Sequence, residues 1–252
     1  MFLKKYKPLN SSLRFRVNID KKSLNMHKFK RLFFKKKNNS GRNSFGHITV
    51  RHKGGGLFNL RRYVDFFRLK KTAGSFIGYD IDKKYSSFLA LIKYNDGSVA
   101  YNLAADDLKK NQEISTSFNT QLNIPGITKP LGWIKNGSNV FNLELEPLTG
   151  GKIIRSAGTF GKILGSNKNK DKILIKLPSK KRQYFSKYCL ATIGRSSNVL
   201  HFLRVLGKAG ISRFYNIRPS VRGETMNPID HPNGGRTRGG KPRKNPWGKI
   251  IK

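Results

Sequence analysis

Ser87-Phe88-Leu89-Ala90-Leu91-Ile92-Lys93-Tyr94-Asn95-Asp96-Gly97-Ser98-Val99-Ala100-Tyr101-Asn102-Leu103-Ala104 reads as two strands joined by a tight turn. Apolar and aromatic residues crowd both flanks. Asn95-Asp96-Gly97 supplies residues that tolerate the positive φ angles of a hairpin. Working outward toward the N-terminus, His47–His52, Leu60–Phe67 and Ser75–Asp82 have the same texture, with Ile48 and Val50 placed inward. Five short strands in so little chain predict a small barrel, and the oligonucleotide-binding (OB) barrel is a five-stranded architecture of this kind.

Toward the C-terminus, Asp106–Asn119 is polar and reads as a connection. A second β-rich stretch follows at Ser138–Leu145, Lys152–Ile154, Gly161–Leu164, Lys172–Leu177 and Gln183–Ala191. Its strands are short and its turns rich in Gly or Asn, as at Gly165-Ser166-Asn167, which predicts a second small barrel. Asn198–Leu206 is the one helix-like run, with Leu200, Leu203 and Leu206 at three-residue spacing and Gly207 as a stop. The expected class is mostly β. The expected domains are a basic N-terminal arm (1–45), an OB-like barrel (46–119), a second barrel (120–194), and a short helix with an extended arm (195–252).

Charge narrows the function. Lys and Arg number 52 against 13 Asp and Glu, a formal net charge of +39 in 252 residues. Such a chain repels itself unless a polyanion completes its working state. Nucleic acid, an anionic membrane surface and an acidic protein all qualify, and nucleic acid rewards each cation through counterion release. Residues 1–45 hold 14 basic and 1 acidic residue, and residues 200–252 hold 12 and 2. Both ends are therefore basic arms around a milder middle. The one cysteine, Cys189, excludes a disulfide framework and reads as a core thiol. The five histidines show no metal-ligand spacing. No apolar run reaches the roughly 18 residues of a membrane span.

Three segments carry chemistry. Arg51-His52-Lys53-Gly54-Gly55-Gly56 ends a strand with glycines whose N–H groups can face phosphate, flanked by basic side chains. An ordinary glycine-rich turn explains it equally well. Arg155 sits among small residues, Gly150–Thr159, in a run that suits either a tight turn or close approach to RNA. From Lys208 to Trp247, Arg213, Arg218, Arg222, Arg236, Arg238, Lys241 and Arg243 interleave with Phe214, Tyr215 and Trp247. That mixture suits phosphate contact plus stacking on unpaired bases. Asp230-His231 is the one place to look for catalysis. Neighbours in an extended chain point opposite ways, and no nucleophile motif is present, so a structural corner is the better reading. Asp106-Asp107 and Glu144/Glu146 read as turn and strand-surface carboxylates.

Arg218-Pro219-Ser220-Val221-Arg222-Gly223, Met226-Asn227-Pro228-Ile229-Asp230-His231-Pro232 and Gly234-Gly235 closely resemble the signature of the universal large-subunit ribosomal protein two family. Gly41–Asn43, Ile48–Gly56, Tyr63–Phe66, Arg155–Thr159, Cys189–Gly194, Gly207–Gly210 and Pro246–Gly248 agree with it in order. The resemblance implies an OB-like barrel followed by an SH3-like barrel, with basic extensions reaching into large-subunit ribosomal RNA near the peptidyl-transferase region. It implies roles in subunit association and transfer-RNA positioning. Implied partners are that RNA, neighbouring ribosomal proteins and the small subunit across an intersubunit bridge, with no membrane and no homo-oligomer. No enzyme activity and no cofactor are implied, beyond structural Mg2+ or K+ held with the RNA. The RNA-contacting set then comprises Arg51–Gly56, Arg155, Lys208, Arg213, Arg218, Arg222, Asn227, Asp230, His231, Gly234, Arg236, Arg238, Lys241, Arg243 and Trp247.

The chain departs from the family where Asn233 replaces a second His, where two glycines replace three, and in a short tail after Trp247. These departures, Tyr6-Lys7-Pro8 at the family's usual N-terminal place, and the abundance of Lys, Asn, Ile and Phe suggest an organelle-encoded protein of the mitochondrial ribosome. A plastid or bacterial setting is the alternative. A free-standing RNA regulator or chaperone is the competing function, and the long motif from Arg218 to Pro232 speaks against it.

Overall fold

The structure, a computed structural model, describes residues 3–22, 24, 26–36, 38–57, 59–70, 72–116, 124–167, 171–235 and 242–251. Its strands are β1 (Leu3–Lys5), β2 (Val17–Ile19), β3 (Phe33–Lys36), β4 (Asn59–Arg62), β5 (Gly74–Asp80), β6 (Leu89–Tyr94), β7 (Val99–Leu103), β8 (Glu113–Ile114), β9 (Thr128–Pro130), β10 (Asn139–Phe141), β11 (Leu143–Glu144), β12 (Gly151–Ile153), β13 (Gly161–Asn167), β14 (Lys172–Lys176), β15 (Arg182–Ser186) and β16 (Leu190–Ile193). The chain divides into a larger unit, Met1–Lys37 with Phe58–Lys208, and a smaller one, Asn38–Leu57 with Ala209–Lys252.

Within the larger unit, a four-stranded antiparallel sheet runs β7-β6-β5-β8, and a six-stranded one runs β15-β14-β13-β10-β16-β9. Both are curled into barrel-like bodies, OB-like and then SH3-like. The β6–β7 hairpin forms at Asn95-Asp96-Gly97, where Gly97 takes φ +79 and its N–H donates to the Tyr94 carbonyl at 3.0 Å. β6 is central, so Phe88 through Ile92 are buried on both faces and read as a continuous apolar run. β14 has one inward face, so Ile173 and Ile175 are buried while Lys172 and Lys176 are exposed. Each fully buried apolar side chain of this kind contributes about 1.5–3 kcal/mol.

Several expectations are corrected. His47–His52 is not a strand: Ile48 and Val50 are exposed, and the Gly41 carbonyl accepts from the N–H groups of Thr49 and Val50 instead. The described residues between Leu3 and Lys36 are not a free extended arm. β1 pairs with β2, Val17 bridges Val205, the His27 N–H donates to the Tyr79 carbonyl at 2.9 Å, and Leu24 is fully buried. Gly165-Ser166-Asn167 is not a turn but continues β13, which absorbs a bulge at Ile163/Gly165. Gln183–Ala191 is two strands, split at Lys187-Tyr188. Asn198–Leu206 yields only a 3-10 turn, Val199–Leu203, with Phe202 exposed. An α-helix stands at Gly210–Phe214.

Glu144 is not a surface carboxylate. It is fully buried, and its oxygens accept from the backbone N–H groups of Leu148 (3.2 Å), Gly150 (3.1 Å) and Leu190 (2.9 Å). Three charge-assisted bonds replace its hydration and tie the 145–150 loop to β16. Beside it, Cys189 is fully buried, and burial, with the Glu144 charge second, pushes its thiol up to about 11. The native chain is therefore expected to react with iodoacetamide at pH 8 about a hundredfold more slowly than the unfolded chain. Equal rates in native buffer and in denaturant would contradict this. The proton held by Cys189 favours the fold below pH 9, and this contribution is lost as pH rises through 11.

Candidate nucleic-acid interface

The smaller unit joins two stretches far apart in sequence. Lys53 bridges Ile217 in antiparallel sense. The Gly54 N–H donates to the Asn216 carbonyl at 3.0 Å, and the Arg218 N–H donates to the His52 carbonyl at 3.0 Å. Asn38 Nδ2 holds the carbonyls of Gly54 (2.8 Å) and Gly55 (2.7 Å). The glycines serve this crossing. At Gly56, φ is +51 and a Cβ would lie 1.5 Å from Asn216 Oδ1, so no other residue fits. The Gly54 N–H is thereby used inside the protein and is not offered to phosphate.

The crossing gathers Arg42, Arg51, Lys53, Arg213 and Arg218 around one groove of about 470 Å³. Its remaining lining is Ser40, Ile48, Val50, His52 and Pro219, with no carboxylate. His52 Nδ1 lies 3.1 Å from the Pro219 carbonyl. The Arg51 guanidinium sits 5.5 Å from the centre of the Trp247 ring, which is 75% exposed. Arg and an exposed aromatic at one rim are the equipment for phosphate contact and base stacking.

The Arg222–Gly235 loop folds on itself. Gly234 N–H donates to the His231 carbonyl (2.8 Å), Gly235 N–H to that of Met226 (2.9 Å), and Asp230 N–H to that of Asn227 (3.0 Å). His231 is buried, and its Nδ1 accepts from the Asn233 N–H at 3.1 Å. That bond fixes the neutral ring as the tautomer protonated on Nε2. Asp230 is exposed and does not orient the imidazole, so the pair lacks the hydrogen bond that a catalytic dyad needs.

No ion pair forms among the described residues of this unit, and none of their apolar side chains is buried. Among these residues the cations have no carboxylate partner in an ion pair, and no hydrophobic core forms. Family models place residues 29–116 in the "Ribosomal Proteins L2, RNA binding N-terminal domain" and residues 124–248 in the "Ribosomal Proteins L2, C-terminal domain". The chain belongs to the ribosomal protein L2 family. It is 41% identical over 98% of its length to the large ribosomal subunit protein uL2m of Reclinomonas americana, covering 90% of that protein. It is 38% identical over its whole length to uL2 of Azorhizobium caulinodans, covering 92%. With uL2 of Chlamydia felis it shares 39% identity over 88% of its length and 78% of that protein.

Within this L2-family chain, the site residues read from the sequence fall in both units. Arg51, His52, Lys53, Arg213 and Arg218 line the groove with Trp247 at its rim, while Gly54, Gly55 and Gly56 line a separate hollow with Arg213, Ile217 and Arg218. Arg222, Asn227, Asp230, His231 and Gly234 form the neighbouring loop, and Arg243 is exposed nearby in sequence to Trp247. Asn233, where the family usually has His, ties the loop to the segment that leads to Trp247. Its Oδ1 accepts from the Lys244 N–H at 3.1 Å, and its Nδ2 donates to the Pro242 carbonyl at 3.4 Å. Arg236, Arg238 and Lys241 lie outside the described residues. Arg155 and the exposed Lys208 belong to the larger unit. Arg155 lies 5.0 Å over the Phe66 ring, and its Nη1 donates to the Gly151 carbonyl at 3.4 Å. The sequence reading missed Arg42, which reaches the groove because Gly41, at φ +76, turns the chain there. A Gly-Arg pair ahead of the glycine triplet was the available signal.

Proposed function

We propose that this chain is a structural constituent of the large ribosomal subunit that binds its ribosomal RNA near the peptidyl-transferase region and supports subunit association and transfer-RNA positioning. The observation that carries this is the smaller unit: five cations face one groove without a carboxylate, beside an exposed Trp247, in a segment whose described residues include no buried apolar side chain. A polyanion with unpaired bases supplies what such a segment lacks, namely counter-charge and stacking surface. Arg155, Lys208, Arg236, Arg238, Lys241 and Arg243 extend the same contact set, and Asn227, Asp230, His231 and Gly234 shape its loop. Neighbouring ribosomal proteins and the small subunit complete its partners. The domains fit this reading as two barrels that carry RNA-contacting extensions. The uL2m relative from Reclinomonas americana supports a mitochondrial ribosome; bacterial relatives are as similar, so the location of the gene is the deciding observation.

Affinity for large-subunit ribosomal RNA is expected to fall steeply with salt. If about 8 cations neutralise phosphates, log K falls against log salt with a slope of about −6 to −7. Filter binding of the purified chain across a salt series checks this, and a slope near zero would overturn the proposal. Sedimentation of a tagged chain with large subunits in moderate salt separates it from a free-standing RNA binder.

A further inference from the structure

A second basic groove belongs to the larger unit and shares no residue with the interface above. It has a volume of about 410 Å³ and is lined by Phe34, Lys35 and Lys36 of β3, Arg61 and Arg62 of β4, and Asp82, Lys84 and Tyr85 of the turn between β5 and β6. The register places Phe34 opposite Arg61 across the β3–β4 ribbon, so an aromatic ring and a guanidinium stand side by side.

Its one carboxylate does not face outward. Asp82 is 1% exposed; its Oδ1 accepts from Arg61 Nη1 (3.0 Å) and the Lys84 N–H (2.7 Å), and its Oδ2 from the Arg62 N–H (2.9 Å). Asp82 is thus a bracket that aims Arg61 and shapes the turn. Arg62 is held by Asp80 through Nε and Nη2, at 2.9 and 3.0 Å. Arg61 Nε is buried without a hydrogen-bond partner among the described residues. Lys35, Lys36 and Lys84 are exposed around it. Two braced rings complete the groove. Phe34 packs on Tyr63 with centroids 4.4 Å apart, and Tyr85 on Phe66 at 5.8 Å. A ring supported by another ring offers a stacking surface at little entropic cost.

We infer that this groove seats an unpaired nucleotide of a single RNA strand. Its phosphate lies among Lys35, Lys36 and Lys84, and its base stacks on Phe34 or Tyr85. The chemistry selects this occupant. Duplex RNA brings phosphates but keeps its base faces stacked inside the helix. An acidic peptide meets the cations but has no planar face for the rings. The inference rests on the ribosomal RNA reading and adds the form of RNA recognised and the place.

The test titrates the full chain with a fluorescent single-stranded RNA of roughly eight nucleotides carrying 2-aminopurine, and with a duplex of equal length. Reversing Lys35→Glu, Lys36→Glu and Lys84→Glu together is expected to weaken single-strand binding at least tenfold. The salt slope should become shallower by about 2, because each lost single-strand phosphate contact contributes about 0.7. Reversing the exposed Lys109, Lys110 and Lys180 to Glu controls for net charge and should weaken binding less than threefold. Phe34→Ala with Tyr85→Ala should abolish stacking-induced quenching of 2-aminopurine and leave duplex affinity unchanged. Asp82 and Arg61 stay in place in every variant, so circular dichroism should be unaltered. In assembled large subunits, a photo-crosslinking benzoylphenylalanine at position 34 should capture RNA. Capture of protein alone, or equal losses on single-strand and duplex RNA, overturns the inference. Co-sedimentation of the variant chains with large subunits then shows that the ribosomal reading stands; a wild-type chain that fails to co-sediment overturns that reading instead.

Discussion

Deleting residues 209–252 is expected to leave the larger unit folded, with a melting temperature within a few degrees of the full chain, while large subunits carrying the truncated protein fail to join small subunits. The first half follows from where the core lies. Among the described residues, every buried apolar side chain falls between Leu24 and Ile193, and none lies in the deleted segment. The second half follows from what the arm carries: Arg213, Arg218 and Pro219 form one wall of the groove and Trp247 its stacking rim, and all are removed. Ordering this arm costs about 1–2 kcal/mol per residue. Its internal hydrogen bonds return only about 0.5–1.5 kcal/mol each. In the free chain its amides should therefore exchange rapidly, and in assembled subunits slowly. Hydrogen exchange on both forms and gradient sedimentation of joined ribosomes are the measurements. Normal joining and translation with the truncated chain would refute the assignment.

A point version of the same experiment uses His231. A Cβ at Gly223 would lie 2.3 Å from both Cε1 and Nδ1 of the His231 ring, so Gly223→Val must displace the imidazole that the Asn233 N–H holds. Gly223→Val and His231→Ala should produce the same partial joining defect without altering the melting temperature. The role tested is shape, since the ring is buried and Asp230 does not touch it.

Much of the fold was legible because its strands obey local rules. Asn95-Asp96-Gly97 has one good solution, and Phe88–Ile92 is too apolar to sit anywhere but at the centre of a sheet. Most of the failures share a physical cause: they depended on tertiary partners that the local pattern does not show. Ile48 and Val50 alternate like a strand, yet Gly41 and the Ile217 segment claim the backbone around them. Thr128–Pro130 has little strand character, and pairing with Leu190–Thr192 makes it one. Glu144 looked like a surface residue because three backbone donors cannot be read from composition. At the interface, the residue types were legible as two separate basic segments. Their meeting was not, because it rests on the Lys53–Ile217 bridge and on the fit of Gly56 against Asn216.

Arg68→Ala is expected to cost the larger unit about 3 kcal/mol, near the middle of the range for emptying a large buried site. At this chain length that lowers the melting temperature by roughly 6–12 °C. Arg68 is 2% exposed and sits at φ +54. Its Nε donates to the Phe66 carbonyl (3.1 Å), its Nη1 donates to Thr192 Oγ1 (2.7 Å), and its own carbonyl accepts from Thr116 Oγ1 (2.6 Å). Strand β16 is thereby pinned to the segment that leads into the first barrel. Burial draws its pKa down to about 10, against the opposing charges of Glu144 and then Asp65, so the guanidinium stays charged at neutral pH. A base whose folded pKa is depressed binds fewer protons in the native state, so this group's contribution to stability rises as pH climbs above about 10 and is least favourable below that. The charge therefore works against the fold at pH 7, and filled volume with two side-chain hydrogen bonds works for it. Arg68→Met keeps most of the volume and sheds the charge, so it should cost only about 1 kcal/mol. Urea unfolding followed by Trp133 fluorescence separates the two variants; equal losses would mean that the hydrogen bonds, not the filled volume, dominate. The effect should also reach the RNA, because Arg68 holds the Phe66 carbonyl and the Phe66 ring lies under the Arg155 guanidinium at 5.0 Å. Arg68→Ala chains that remain folded should bind ribosomal RNA more weakly than wild type by about the amount that Arg155→Ala costs, and the two substitutions combined should cost no more than either alone.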